Sequence, residues 1–306
     1  MKLHNDKEKF IEAIIATSKM YGLDPALIEK DYFVTLFLKK AVEQIPGLVF
    51  KGGTSLSKCY NLIDRFSEDI DLTLDEKHFT QSKKRKSIKD LILICDELNL
   101  KLINKEEIEN HTHGNYNCYN ICYPIMFPSE DIKAELKVEM TYIQKCYPYE
   151  KRSATSYIGD FFIKNGNDKI VEEFELYPFI VQVQSLERTF VDKIFAICDY
   201  YLSRNTIRNS RHIYDISRIL KKIDIFDLNL KLLIENVRNE RKQNKTCLSA
   251  QDEANVQEIL KEIVSTEFFK HDYDEITSKL LTKNVNYDEA IKSLQKIINS
   301  ELFKKI

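Results

Sequence analysis

From residue 179 to residue 306 the sequence contains neither glycine nor proline. These two residues are the main breakers of regular structure, so a run this long without them leans strongly towards helix. The last proline is Pro178 and the last glycine Gly166. From Leu186 onward apolar residues recur at helical spacing, which predicts helices over 186–203, 209–221, 227–241, 251–268 and 285–303. The earlier part is mixed. Helices are predicted over 6–20 and 24–45, the second opened by Asp24-Pro25, an N-cap followed by proline at the first helical position. Leu48–Phe50 reads as a short buried strand, followed by a helix from Thr54 or Ser55 to about Leu62. Asp69–Leu74 alternates polar and apolar residues as a half-buried strand does, and 83–98 reads as helix. Segments 100–104, 116–127, 132–143, 157–164 and 170–184 are rich in Tyr, Ile, Val and Phe and read as strand. The expectation is an α+β protein: a mixed sheet flanked by helices over 1–184, then an all-helical lobe over 185–306.

A chain of 306 residues with 43% hydrophobic and 31% charged residues can bury a substantial core. Its net charge of -2 gives no global nucleic-acid signal, so any such surface must be local. No apolar run is long enough to span a bilayer, and the polar N-terminus lacks the pattern of a signal peptide. Seven scattered cysteines form no disulfide framework. A cytoplasmic protein with no membrane partner is expected.

The most informative stretch is Leu48-Val-Phe-Lys-Gly-Gly-Thr-Ser-Leu-Ser57 followed by Arg65-Phe-Ser-Glu-Asp-Ile-Asp-Leu-Thr-Leu74. A strand ending in Gly52-Gly53 can turn sharply and let its backbone approach a ligand. A helix starting there aims free N–H groups and a positive dipole end at the same place, which suits a polyphosphate. Thr54 and Ser55 are expected to add hydroxyl donors. Asp69 and Asp71 lie two apart on a strand and project from one face. Two such carboxylates are costly to ionise without a cation, and Mg²⁺ favours carboxylate and phosphate oxygens together. In outline this is a two-metal phosphoryl-transfer site. Alone, Gly-Gly is usually only a turn and a D-x-D is usually a solvated strand edge; it is their order that carries the reading.

These residues resemble the first motif of the DNA polymerase β-type nucleotidyltransferase superfamily. More closely they resemble the AbiEii toxin family of bacterial toxin–antitoxin and abortive-infection systems. Glu29-Lys-Asp-Tyr-Phe-Val-Thr35, Gln184-Ser-Leu-Glu-Arg-Thr-Phe-Val-Asp-Lys193 and Arg211-His-Ile-Tyr-Asp215 are similar to further motifs of that family. The resemblance implies Mg²⁺ or Mn²⁺ on Asp69 and Asp71, and an NTP substrate. It implies that Lys193 reaches the triphosphate and that Asp215 orients Lys193 or contacts the nucleotide. Ser55 and the amides near Gly53 would hold the β- and γ-phosphates. A third carboxylate is expected on a neighbouring strand: Glu139, which shares a face with Lys137 and Thr141, or Glu135 in reserve. An ordinary exposed Lys/Glu strand face explains Glu139 equally well. Arg65 has two readings, phosphate binding or pairing with Glu68.

Two basic segments could hold an RNA acceptor. Lys83–Lys89 carries five cations in seven residues, which a solvated helix face also explains. The segment 204–222, with Arg204, Arg208 and Arg211, abuts the motif region and is favoured. His111 and His113 lack an evident third metal ligand, and Cys118 and Cys122 lack zinc-type partners. The resemblance implies transfer of a nucleoside monophosphate to the 3′ end of tRNA or to a protein hydroxyl, a block in translation, and a cognate antitoxin. The expected active site lies in the cleft between the two lobes. A non-catalytic nucleotide- or RNA-binding module is the second reading, and a toxin that transfers the γ-phosphate is the third.

Overall fold

The computed structural model describes residues 2–65, 67, 69–110, 114–130, 132–142 and 145–304. The chain divides into two compact units, residues 1–60 with 68–183 and residues 61–67 with 184–306. The sequence assigns 61–67 to the first lobe; the structure places it with the second.

In the first unit α1 (Lys7–Tyr21) and α2 (Pro25–Gln44) open the chain. The Asp24 carboxylate caps α2 by accepting the Ala26 amide at 2.7 Å, with Pro25 in the first turn. The elements β1 (Leu48–Lys51), α3 (Gly52–Lys58), β2 (Asp69–Leu74), α4 (Gln81–Glu97), β3 (Lys101–Leu102) and α5 (Lys105–Asn110) follow. After them come β4 (Tyr116–Cys122), β5 (Glu135–Thr141), β6 (Tyr149–Ala154), α6 (Tyr157–Lys164), α7 (Asp168–Glu173) and β7 (Phe179–Gln184). The seven strands form one sheet in the order β3-β4-β5-β2-β1-β7-β6. β2 runs antiparallel to β1 and parallel to β5, and β4 runs antiparallel to β5. Period-two alternation divides the sheet. Ile70, Leu72, Leu136, Val138, Met140, Tyr119 and Ile121 are fully buried on one face, against a core that includes Phe33 and Phe37 of α2.

Three charged residues of α2 sit inside this unit and brace it. Glu29 accepts the Met126 and Phe127 amides at 2.7 and 3.0 Å, and Lys30 donates to the Lys133 carbonyl at 2.9 Å. Asp31 accepts from Lys58 Nζ at 2.6 Å and from the Tyr157 amide at 2.9 Å, joining α2, α3 and α6. Buried charges persist when paired in this way. Burial pushes the Glu29 carboxyl up, and its two amide bonds offset only part of that shift.

Two expectations need correction, and one strand forms where none is expected. Residues 157–164 form helix α6, not strand. The Ser156 hydroxyl caps it at the Gly159 amide (3.0 Å), and Ile158 and Phe162, four apart, bury one face. Residues 170–184 are not one strand, because 168–173 is helix α7 and only 179–184 is strand. The strand β6 over 149–154 went unpredicted: Glu150, Lys151 and Arg152 give it no apolar pattern.

The second unit is helical: α8 (Leu186–Leu202), α9 (Arg211–Ile219), α10 (Leu228–Lys242), α11 (Val256–Ser265), the short α12 (Lys270–Asp272) and α13 (Ser278–Leu280), and α14 (Tyr287–Asn299). The predicted 251–268 helix starts later because Asn255 caps it at the Glu258 amide (3.2 Å). Buried Arg188 holds Asp192 at 3.1 Å and Glu240 at 2.8 Å, tying α8 to α10. Segment 61–67 docks on these helices. Arg218 donates to the Leu62 carbonyl at 3.1 Å, Tyr214 Oη accepts the Asp64 amide at 2.9 Å, and Arg65 forms an antiparallel bridge with Leu281. Among the described residues no helix is long and apolar enough to cross a membrane.

Candidate active site

In the first unit the site is built on the half-buried face of the sheet. β1 runs directly into α3 at Gly52, whose φ of +76° is in the left-handed region. Helix α3 therefore starts at Gly52, ahead of the expected cap at Thr54 or Ser55, and ends at Lys58 instead of near Leu62. Only glycine fits here, since a Cβ would lie 1.7 Å from Asp71 Oδ2. The Asp71 carboxylate thus rests on the backbone of the glycine turn. The hydroxyls of α3 differ from expectation. Thr54 Oγ1 donates to the Asp69 carbonyl at 2.5 Å and Ser55 Oγ to the Gly52 carbonyl at 2.8 Å. Both side chains are buried, and each has given its only proton to the backbone. Any phosphate contact from these two residues falls to their amides.

Strand pairing places the acidic residues side by side. Asp69 lies opposite Lys137 and Asp71 opposite Glu139 on the parallel β2–β5 pair. Lys51 lies opposite Asp71 on one side, and Cys118 opposite Glu139 on the other. Glu139, not the reserve Glu135, is therefore the carboxylate beside the D-x-D pair. Lys137 forms an ion pair with Glu139. Burial pulls the Lys137 ammonium down, but Glu139 and Asp69 outweigh it and hold it above its ordinary value. Among the described residues no three His, Cys, Asp or Glu side chains converge closely enough to hold a metal ion. Asp69 and Asp71 still fit one hard cation, because Mg²⁺ is commonly bound by one or two carboxylates and takes its other ligands from phosphate and water.

In the second unit α8 and α9 carry the remaining predicted residues. Lys193 Nζ donates to Asp215 Oδ2 at 2.7 Å. Arg65 forks onto the same carboxylate, Nε to Oδ1 and Nη2 to Oδ2, both at 2.7 Å. Asp215 is fully buried and Lys193 is 6% exposed. Burial alone would raise the Asp215 carboxyl, but Arg65 and Lys193 outweigh it and hold it well below the carboxylate range. Burial, helped by Arg65 and opposed by Asp215, lowers the Lys193 ammonium. Burial first and Lys193 second press the neighbouring His212 imidazole far below its ordinary value. Arg65 is therefore an Asp215 partner. The alternative partner Glu68 lies outside the described residues, as do His111 and His113.

The basic segments differ from each other. In 83–89 Lys84 turns inward over the Tyr142 ring at 4.9 Å, so the run is not one cationic face. Around 204–211, Arg204 is exposed and lies over the Tyr201 ring at 5.0 Å. Arg208 is exposed and Arg211 half-buried.

The sequence matches the family described as "Nucleotidyl transferase AbiEii toxin, Type IV TA system" over residues 36–296. That match spans both the sheet unit and the helical unit, and it makes the protein a nucleotidyltransferase. The chain belongs to the AbiEii family. No curated protein matches it. Among solved structures, MenT4, a nucleotidyltransferase toxin from Mycobacterium tuberculosis H37Rv, is similar with a TM-score of 0.58 at 14% identity, covering 96% of this chain and 90% of that one. That likeness shows a shared fold. A putative nucleotidyltransferase from H. pylori is similar at a TM-score of 0.44 and 16% identity, covering 88% of this chain and 92% of that one.

Proposed function

We propose that this toxin transfers a nucleoside monophosphate from an NTP to an acceptor hydroxyl, releasing pyrophosphate, with the 3′ end of tRNA as acceptor. The observation that carries this reading is the apposition of Asp71 to the glycine turn at Gly52, with Asp69 on the same strand face. Asp69 and Asp71 would hold Mg²⁺ or Mn²⁺, which would neutralise charge on the polyphosphate. The amides of Gly53, Thr54 and Ser55 bind phosphate oxygens. Glu139 accepts the proton of the attacking hydroxyl. Lys193 supplies a positive charge to the triphosphate, and Asp215 orients it. Arg204, Arg208 and Arg211 contact the phosphates of the RNA acceptor. Capping the 3′ end would block aminoacylation and stop translation in the cytoplasm, with a cognate antitoxin opposing the effect. The test combines purified protein, Mg²⁺, each α-labelled NTP and total tRNA. Label on RNA supports the reading, and γ-label transfer in its place would convert it to a kinase. Nucleotide binding without turnover would leave a binding module.

A further inference from the structure

The charge arrangement around Glu139 bears on how many cations the sheet face accepts. The sheet register sets out a checkerboard: Asp69 beside Lys137, and Asp71 between Lys51 and Glu139. Lys137 and Glu139 are two apart on β5, so their side chains leave the same face. The ammonium of Lys137 ion-pairs with Glu139 along the strand and faces Asp69 across it. Three carboxylates thus share the face with two lysines, and one of those lysines holds the third carboxylate. A two-metal centre needs carboxylates to bind or bridge both ions. An ammonium seated on Glu139 repels a second divalent ion there and supplies one positive charge in its place.

We propose that Lys137 is a fixed counter-cation of the nucleotide site: it occupies Glu139 and restricts this face to a single divalent ion, held by Asp69 and Asp71. The proposal rests on the nucleotidyltransferase reading of the site and deepens it. Lys137 is partly exposed, so its replacement spares the fold. The probe is Mn²⁺ alone, titrated into the full chain and counted by electron paramagnetic resonance. The expected count is one ion for the wild type and for Lys137→Arg, and two for Lys137→Ala. Adding Glu139→Gln to Lys137→Ala should return the count to one, and Asp69→Asn in the wild type should abolish it. A wild type that binds two ions, or a Lys137→Ala variant that still binds one, overturns the proposal. If NMP transfer is observed with two ions bound, the inference falls and the function stands. If no Mn²⁺ binds at all, the cation assignment falls for both.

Discussion

Asp215→Asn is the sharpest perturbation of the helical unit, because the replacement keeps the side-chain shape and removes only the charge. Three hydrogen bonds from two cations converge on this carboxylate, which is fully buried. Breaking a buried pair by removing one partner costs about 3–5 kcal/mol, since the remaining charge is stranded. Here two cations are stranded, so the upper half of that range is expected. At roughly 2–4 °C per kcal/mol for a unit of this size, Tm falls by on the order of 10 °C. Urea unfolding followed by circular dichroism measures the difference directly. Its pH dependence has a fixed sign. The folded carboxyl is held below its ordinary value. Its stabilisation is therefore complete above the unfolded pKa of about 3.9 and is lost as pH falls towards the folded value. The gap between wild type and variant should narrow below about pH 4. The double variant Arg65→Met/Asp215→Asn removes one stranded cation, so it should lose less than the sum of the two single changes. A loss under about 1 kcal/mol from Asp215→Asn, or strict additivity in the double variant, would refute this account of the cluster.

Three further outcomes follow from the same geometry. Gly52→Ala should abolish nucleotide transfer while leaving the rest of the fold, because its Cβ collides with the Asp71 carboxylate; transfer assays beside melting curves check this. Lys58→Met should destabilise the first unit by about 3 kcal/mol in urea unfolding, because it strands the largely covered Asp31 at the α2–α3 junction. Arg204→Ala and Arg208→Ala should weaken tRNA binding uniformly across sequences, each lowering the salt-dependence slope by about 1 in filter binding.

The glycine- and proline-free tail announces the helical unit because helix needs only uninterrupted apolar periodicity, which the sequence displays. Asp24-Pro25 and the alternation at 69–74 are legible for the same reason, since cap chemistry and period two are local properties. Residues 157–164 mislead because Tyr157, Phe161 and Phe162 imitate strand composition, while the deciding signals are the Ser156 cap and the spacing of Ile158 and Phe162. Within the site, the D-x-D pair and the glycine turn are visible as motifs. The inward turn of the Thr54 and Ser55 hydroxyls is not, since a hydroxyl's partner depends on which carbonyl the fold brings near. Arg65 and Asp215 are 150 residues apart, and their pairing exists only through folding. Lys137 lies beside a suspected carboxylate, and its charge and period-two spacing are the local signals that point to its pairing with Glu139.

Asp69 and Asp71 are proposed to support transfer of a nucleoside monophosphate. The direct measurement is the incorporation of α-label from each NTP into total tRNA, by wild type and by Asp69→Asn, with Mg²⁺ and with EDTA. Labelled RNA is expected with one or more NTPs, lost on Asp69→Asn and lost in EDTA. Full labelling by Asp69→Asn, or no labelling of RNA or protein by the wild type with any NTP, would contradict it.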